Sequence, residues 1–233
     1  MSLGKVNGLQ VAGISNVTKG NVYGWQLAGI TNVATGKISG LQIGLANYAK
    51  TLRGFQLGLV NVAETVEEGA VLGLFSFVKN GYTRVEIEAN ETFYANISVK
   101  NGLPWLYNIY MVSYKNKGDK TYWAPGIGLG TFLPISNKLG VNIDLTSQQV
   151  NEDKWWTEDL NLLNKLKMNV SYRLGNRMEI YGGPSFNLTI SGIRDAEGKV
   201  IGESFSPSWK SYEHTYPNNK LKTYVGFNLG IRL

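Results

Sequence analysis

Gly40-Leu-Gln-Ile-Gly-Leu-Ala-Asn47 decides the fold, because the chain writes this phrase five times. The other copies are Gly8-Leu-Gln-Val-Ala-Gly-Ile-Ser-Asn16, Gly24-Trp-Gln-Leu-Ala-Gly-Ile-Thr-Asn32, Gly54-Phe-Gln-Leu-Gly-Leu-Val-Asn61 and a degenerate Gly69-Ala-Val-Leu-Gly-Leu-Phe-Ser76. Their leading glycines fall at 8, 24, 40, 54 and 69, a period of 14 to 16 residues. Within each copy Leu9 and Val11, Trp25 and Leu27, Leu41 and Ile43, and Phe55 and Leu57 fall on one face of an extended chain. Gln10, Gln26, Gln42 and Gln56 fall on the other, among small Gly and Ala residues. Period two means strand. A helix is disfavoured because glycine recurs inside every copy, at about 1 kcal/mol each relative to alanine. The segments Thr18-Lys-Gly-Asn21, Ala34-Thr-Gly-Lys37 and Ala49-Lys-Thr51 carry turn chemistry.

Two architectures accept such a unit. Each copy is either one membrane-crossing strand of an antiparallel barrel, or one coil of a parallel solenoid whose Gln and Asn stack into ladders. Asn recurs at the same place in every copy, which suits coils, since antiparallel strands would put it at alternate ends. The Gln-to-Asn distance is six residues in the first two copies and five in the next two, so the Asn changes face. A bulged barrel strand absorbs that change more readily than a stacked ladder does. The expectation is therefore an all-β, antiparallel transmembrane β-barrel of about 12 strands. In it, residues 1–77 supply repeat strands of the wall, and residues 78–233 supply non-repeat strands with long outer loops. The alternative is a short N-terminal β-solenoid followed by an eight-stranded barrel.

Beyond Phe77 and the turn Lys79-Asn-Gly-Tyr82 the alternation lengthens. Val85, Ile87, Ala89, Phe93, Ala95, Ile97 and Val99 oppose Glu86, Glu88, Asn90, Thr92, Tyr94, Asn96 and Lys100, with Glu91 as the interruption. This is one long strand or two joined at Asn90-Glu91, and the Asn101-Gly102 that follows is the strongest hairpin signal in the chain. Further strands are expected from Leu103 to Tyr114, Tyr122 to Ile135, Leu139 to Val150, Leu160 to Leu174, Met178 to Ile190 and Leu221 to Leu233. That makes seven strands after Tyr82, if residues 85–100 form one strand. The connections alternate short and long, ending with the tight Gly175-Asn176 and the longest loop, Ser191 to Asn219. Outer-membrane barrels have this habit, with short periplasmic turns and long external loops.

The composition agrees with an all-β chain: 28 Gly, 13 Tyr and no Cys in 233 residues. Tyr and Trp suit the aromatic girdles of a membrane barrel. The lack of Cys excludes a disulfide scaffold and thiolate chemistry. The net charge of +6 is modest, and no basic cluster accompanies a recognition motif, so nucleic acid is not an expected partner. No run approaches the roughly 18 apolar residues of a spanning helix, which leaves the barrel as the route to a membrane. Met1-Ser-Leu-Gly-Lys5 does not open a signal peptide. An envelope protein with this sequence is therefore expected to be a mature form or a fragment entered in mid-repeat.

The repeated Gly40-Leu-Gln-Ile-Gly-Leu-Ala-Asn47, followed by Phe77-Val-Lys-Asn-Gly-Tyr82, Asn90-Glu-Thr-Phe-Tyr-Ala95 and Asn142-Ile-Asp-Leu-Thr-Ser-Gln-Gln149, resembles the bacterial surface-repeat-containing proteins of Gram-negative envelopes. The resemblance covers nearly the whole chain. It implies a bacterial outer-membrane location and carries no assigned reaction. The barrel reading makes membrane lipid the expected partner, with lipopolysaccharide or a surface glycan as further candidate ligands.

Candidate sites are of two kinds. Glu86, Glu88 and Asp144 are expected to face the barrel interior, where Lys100, Lys167, Lys222 and Arg232 can neutralise them. Such an interior suits a plugged, salt-bridged core or a narrow aqueous path. Trp155, Trp156 and Trp209 fall in outer loops, where they can anchor at lipid headgroups or bind glycan. His214 is the only histidine. It lies in the long loop with Asp195, Ser204, Ser206, Ser208, Ser211 and Glu213, but no Gly-x-Ser-x-Gly signature supports a triad, so no catalytic residue, metal or cofactor is assigned. Gly126-Ile-Gly-Leu-Gly130 sits in a strand pattern and is expected to be barrel wall, not a phosphate loop. Three roles follow: a non-enzymatic envelope scaffold, narrow pore or binding platform; a surface adhesin with solenoid repeats; and an outer-membrane lipid hydrolase or acyltransferase.

Overall fold

The computed structural model describes residues 1–175 and 178–233, so Asn176 of the expected Gly175-Asn176 turn lies outside the described residues. Among those described there is no helix, and the chain runs through seventeen strands. The repeat region holds β1 (Val6–Ala12), β2 (Ser15–Thr18), β3 (Val22–Ala28), β4 (Thr31–Ile43), β5 (Ala46–Leu57), β6 (Val60–Leu72) and β7 (Phe75–Val78). The rest holds β8 (Tyr82–Asn90), β9 (Ala95–Leu103), β10 (Leu106–Lys117), β11 (Lys120–Pro134), β12 (Leu139–Gln149), β13 (Asn151–Glu152), β14 (Asn161–Arg173), β15 (Glu179–Ser191), β16 (Tyr212–Thr215) and β17 (Lys220–Arg232).

The repeats are not barrel strands. β1 to β7 form a seven-stranded parallel sheet in which like pairs with like: Gly8, Gly24, Gly40, Gly54 and Gly69 are in register, as are Asn16, Asn32, Asn47, Asn61 and Ser76. This replaces the expected 12-stranded barrel with a solenoid-like sheet and a separate eight-stranded barrel. The Gln-to-Asn spacing misled because the extra residue sits where no register is needed. Leu27 pairs with Ile43 and Thr31 with Ala46, so three residues separate the two rows in one coil and two in the next. The turn takes up the difference and both ladders stay aligned.

The ladders are made of side-chain amides. Gln56 donates to Gln42 at 2.7 Å, Gln42 to Gln26 at 2.8 Å and Gln26 to Gln10 at 2.8 Å. The asparagines donate the other way along the stack, Asn16 to Asn32 at 3.0 Å, Asn32 to Asn47 at 2.9 Å and Asn47 to Asn61 at 2.8 Å. Asn32, Asn47 and Asn61 also donate across their coils to the carbonyls of Ile43, Leu57 and Leu72. Each buried amide is thus partnered by its copies, which is what makes a polar interior tolerable. Beside the ladders lies a small apolar core of Val22, Ala34, Ile38, Ala49, Leu52, Ala63, Val71 and Val78. The leading glycines carry positive φ, and a Cβ on Gly40 would stand 2.0 Å from the carbonyl oxygen of Gly24. Only glycine fits where the coils approach so closely.

The second sheet closes on itself. Its strands run β10-β9-β8-β17-β15-β14-β12-β11, and β10 also pairs with β11, giving eight strands in the ring. β17 pairs antiparallel with β8 and β15, β14 with β15, and β12 with β11 and β14. β13 adds to β11 and β16 to β17 outside the ring. The alternation at 85–100 is two strands, broken at residues 91–94, so the region after Tyr82 supplies eight barrel strands and not seven.

Asn101-Gly102 is not the hairpin turn that its type suggests. Both residues lie in β9, and the chain turns at Pro104-Trp105. Asn101 is used otherwise: its side-chain oxygen accepts from Val78 N at 3.2 Å and its amide donates to Thr83 at 2.7 Å. By contacts the chain divides into one unit of residues 1–83 with 101–108, and another of residues 84–100 with 109–233. In the first unit Asn108 donates to the Gly73 carbonyl at 3.0 Å and Tyr107 stacks on Tyr82 at 4.9 Å.

Candidate functional site: the charged barrel interior

Alternation along each barrel strand separates two chemistries. Outward, Val85, Ile87, Leu129, Leu145, Val170, Phe186, Phe227 and Leu229 are all exposed. Inward, Glu86, Glu88, Lys100, Asp144, Lys165, Lys167 and Arg232 are all less than 5% exposed. Charged side chains are almost never fully buried unless paired, so each of these needs a partner. Lys222, Asn228 and Arg232 are buried while Phe227, Leu229 and Ile231 face outward, as expected from the last strand.

Register creates the pairs. Asp144 lies opposite Lys167 across β12 and β14, Arg232 opposite Glu86 across β17 and β8, and Glu179 opposite Arg232 across β15 and β17. Lys100 binds Asp144 at 2.7 Å and Glu86 at 2.9 Å. Arg232 binds Glu86 at 2.5 Å, Glu179 at 3.2 Å and the Asn142 side-chain oxygen at 2.9 Å. Lys167 binds Glu88 at 2.8 Å and Lys165 binds Glu91 at 2.7 Å. The Tyr181 hydroxyl donates to Glu86 and Glu88 at 3.3 and 3.2 Å, and the Arg232 guanidinium sits 4.8 Å from its ring centre. Five carboxylates (Glu86, Glu88, Glu91, Asp144 and Glu179) thus face four cations (Lys100, Lys165, Lys167 and Arg232), so the middle of the barrel is close to neutral. Small residues make room for this network: a Cβ on Gly230 would meet the Tyr181 hydroxyl at 2.6 Å, and one on Gly226 the Glu91 carboxylate at 2.1 Å.

The long loop after β15 fills another part of the interior. Phe205 is fully buried in a cluster with Phe93, Tyr122, Ala124, Val150, Leu163 and Tyr224. Lys115 donates to the Phe205 carbonyl. Ser204 donates to Glu152 at 2.8 Å, Ser206 to Glu203 at 2.7 Å, and Lys222 to Ser206 at 2.6 Å and the Pro207 carbonyl at 2.5 Å. Lys222 therefore serves the loop, apart from the other six charged candidates. Sequence reading missed Lys165, Glu91, Glu179, Tyr181 and Glu203. Lys165 shares a face with Lys167 by the same period of two, so that signal was present, whereas Glu91 was hidden in the break of the alternation.

Ser204 and Ser206 are committed to Glu152 and Glu203, and His214 stands between Tyr212 and Tyr216 with ring centres at 6.4 and 4.5 Å. Glu213, beside it, receives the ammonium groups of Lys210 and Lys220, which hold its carboxyl down at about 2. Among the described residues no group of three His, Cys, Asp or Glu is placed to hold a metal ion. Gly126 to Gly130 lie within β11, paired with Thr146 and its neighbours of β12. Trp155, Trp156 and Trp209 are all more than half exposed. Trp155 stacks on Trp123 at 4.9 Å, and the Trp209 indole donates to the Val225 carbonyl at 3.0 Å. Trp156 borders an apolar groove of about 710 Å³ on the outer wall, with Ile97, Val99, Val112, Ile127 and Leu162. Compared with protein-family models and with curated proteins, the chain matches none of either.

Proposed function

We propose that this chain is a non-enzymatic surface protein of the bacterial outer membrane, whose barrel acts as a closed anchor for the repeat module carried on the same chain. The observation that carries the reading is the inversion of the barrel: a broad apolar outer wall around an interior of buried, paired charges. Acyl chains are the solvent for which that wall suits. An open pore would keep its interior charges hydrated and unpaired, whereas here Lys100, Lys167 and Arg232 are each locked to carboxylates. The interior is filled further by Tyr181, Tyr224 and the inserted Phe205. The likeness of the repeats to surface-repeat-containing proteins favours the same envelope address.

A second reading, a platform for lipopolysaccharide or surface glycan, draws on Trp155 stacked over Trp123 in an exposed loop. Sugar rings pack on such faces, and this role is compatible with the closed anchor.

The test is purification in detergent followed by reconstitution. The folded protein is expected to stay soluble only with detergent or lipid, to migrate differently before and after boiling, and to give no channel events in planar bilayers. Folding to a monodisperse species in detergent-free buffer would overturn the membrane reading. Steady single-channel conductance would overturn the closed lumen.

A further inference from the structure

The repeat unit carries its own apolar ridge. Every coil turns at a tip that contains Gly13-Ile14, Gly29-Ile30, Gly44-Leu45, Gly58-Leu59 or Gly73-Leu74, so the tips stack in one row. Ile14, Ile30, Leu45, Leu59 and Leu74 are 40 to 69% exposed. On one side of the tips run Val11, Ile43 and Leu57, then Leu9, Trp25 and Phe55, all exposed; on the other lie exposed Phe75 and Phe77. The nine charged side chains of the first 83 residues are Lys5, Lys19, Lys37, Lys50, Arg53, Glu64, Glu67, Glu68 and Lys79. None falls between a leading glycine and the second residue after its paired Asn or Ser. All of them lie at the opposite edge, where Lys37 pairs with Glu67 and Arg53 with Glu68.

We infer that this ridge inserts into the interfacial layer of a lipid bilayer, with the charged edge left in water. Three observations select lipid as the occupant. First, the polarity is reversed: the amides of Gln26, Gln42, Asn32 and Asn61 are inside and fully buried, while the largest apolar side chains point out. A protein partner covering one surface does not require a polar core beneath it, but a surface adapted to hydrocarbon tolerates one. Second, exposed apolar rows meet at the tips from both faces of the coil, Leu9, Trp25 and Phe55 on one and Phe75 and Phe77 on the other, with no charged side chain among them. Third, the parallel ladders satisfy the backbone of the inner coils, β3 to β6, within the sheet, the condition for placing backbone in lipid. Five coils at strand spacing give a ridge about 20 Å long, and three residues of strand give it a depth of about 10 Å. That depth fits the roughly 5–10 Å over which interfacial segments bury their apolar face. It is too shallow for a crossing. The inference goes beyond the barrel reading and does not depend on it.

The chain has no cysteine, so single-cysteine variants of the full protein can be labelled with an environment-sensitive fluorophore and placed in phosphatidylcholine vesicles. The sites are Ile30→Cys and Leu45→Cys at the tips, Lys19→Cys and Lys50→Cys at the charged edge, and Leu229→Cys on the barrel wall. The expected result is a blue shift and quenching by lipid-borne nitroxide at the tips, several-fold stronger than at the charged edge. Labels at Ile30 and Leu45 that behave like those at Lys19 and Lys50, while Leu229 is quenched, would overturn the inference and leave the barrel reading standing. Absence of quenching at all five sites would overturn both. Label-to-label energy transfer at the tips that grows with protein density, without lipid quenching, would assign the ridge to a second copy and also overturn it.

Discussion

Replacing Lys100 by methionine removes the ammonium that bridges Glu86 at 2.9 Å and Asp144 at 2.7 Å, while nearly conserving side-chain volume. Glu86 keeps Arg232 at 2.5 Å, so the burden falls on Asp144, which is fully buried. The perturbation is thus one fully buried carboxylate that loses the ammonium 2.7 Å away and keeps Lys167 opposite it in the ladder. Breaking a buried pair from one side costs about 3–5 kcal/mol, since the surviving charge cannot be rehydrated. An exposed pair would cost about 0.2–1 kcal/mol. With a urea dependence of about 2 kcal/mol per molar, the unfolding midpoint of Lys100→Met in lipid vesicles should fall by about 1.5–2.5 M. Adding Asp144→Leu removes the carboxylate together with the ammonium it bound. Neutral replacement of a buried pair is often tolerated, so the double variant should recover most of the loss. Intrinsic tryptophan fluorescence, with heat-modifiable migration as a second readout, follows both transitions. A single variant that loses less than about 1 kcal/mol would mean that the pair is hydrated as surface pairs are. A double variant as weak as the sum of its parts would refute charge balance as the reason these residues share the interior.

Gly40→Ala should destabilise the repeat unit by about 1–3 kcal/mol from its backbone conformation alone, and by more because the new Cβ meets the Gly24 carbonyl oxygen at 2.0 Å. Gly8→Ala has positive φ but nothing within 4 Å, so it should show only the conformational part; equal losses in hydrogen exchange at the two positions would contradict the close-approach argument. Glu213, whose carboxyl is held at about 2 against an ordinary 4.5, contributes stability that is complete above about pH 4.5 and disappears as the pH falls toward 2. Protease cleavage within residues 192–219 should therefore increase over that window, stay level from pH 5 to 8, and lose its acid dependence in Glu213→Gln.

The barrel was legible because most of its strand positions obey one rule, apolar side chains at one parity and polar at the other, with Ile109, Met111 and Leu163 as inward apolar exceptions. That rule located Glu86, Glu88, Lys100, Asp144, Lys167, Lys222 and Arg232, all of which are buried. It did not locate Glu91 or Glu203, which enter from a turn and a loop where parity has no meaning. The repeats were harder for a physical reason. A strand with apolar residues outward looks the same in sequence whether its neighbour is parallel or antiparallel, and the choice rests on long-range pairing. The recurrent Asn held the answer, since parallel register alone sets Asn32 beside Asn47. The change in Gln-to-Asn distance pointed away from it because spacing along the chain counts turn residues that the ladder does not use. Asn101-Gly102 likewise has the residues of a turn, but Val78 and Thr83 claim the asparagine side chain.

The amide ladders also bear on how a chain of this design can change length. Each Gln or Asn bonds chiefly to its copies above and below and to its own coil, so a coil recognises its neighbours by identity alone. An inserted duplicate of residues 40–53 would find donors and acceptors already waiting on both sides. Val71 replaces the glutamine of the fifth coil, and the Gln56 side-chain oxygen is left without a hydrogen-bond partner. That position marks where the series stops. Copy number is therefore a trait that tandem duplication can alter in a single step, lengthening the ridge by one rung and leaving the barrel strands untouched.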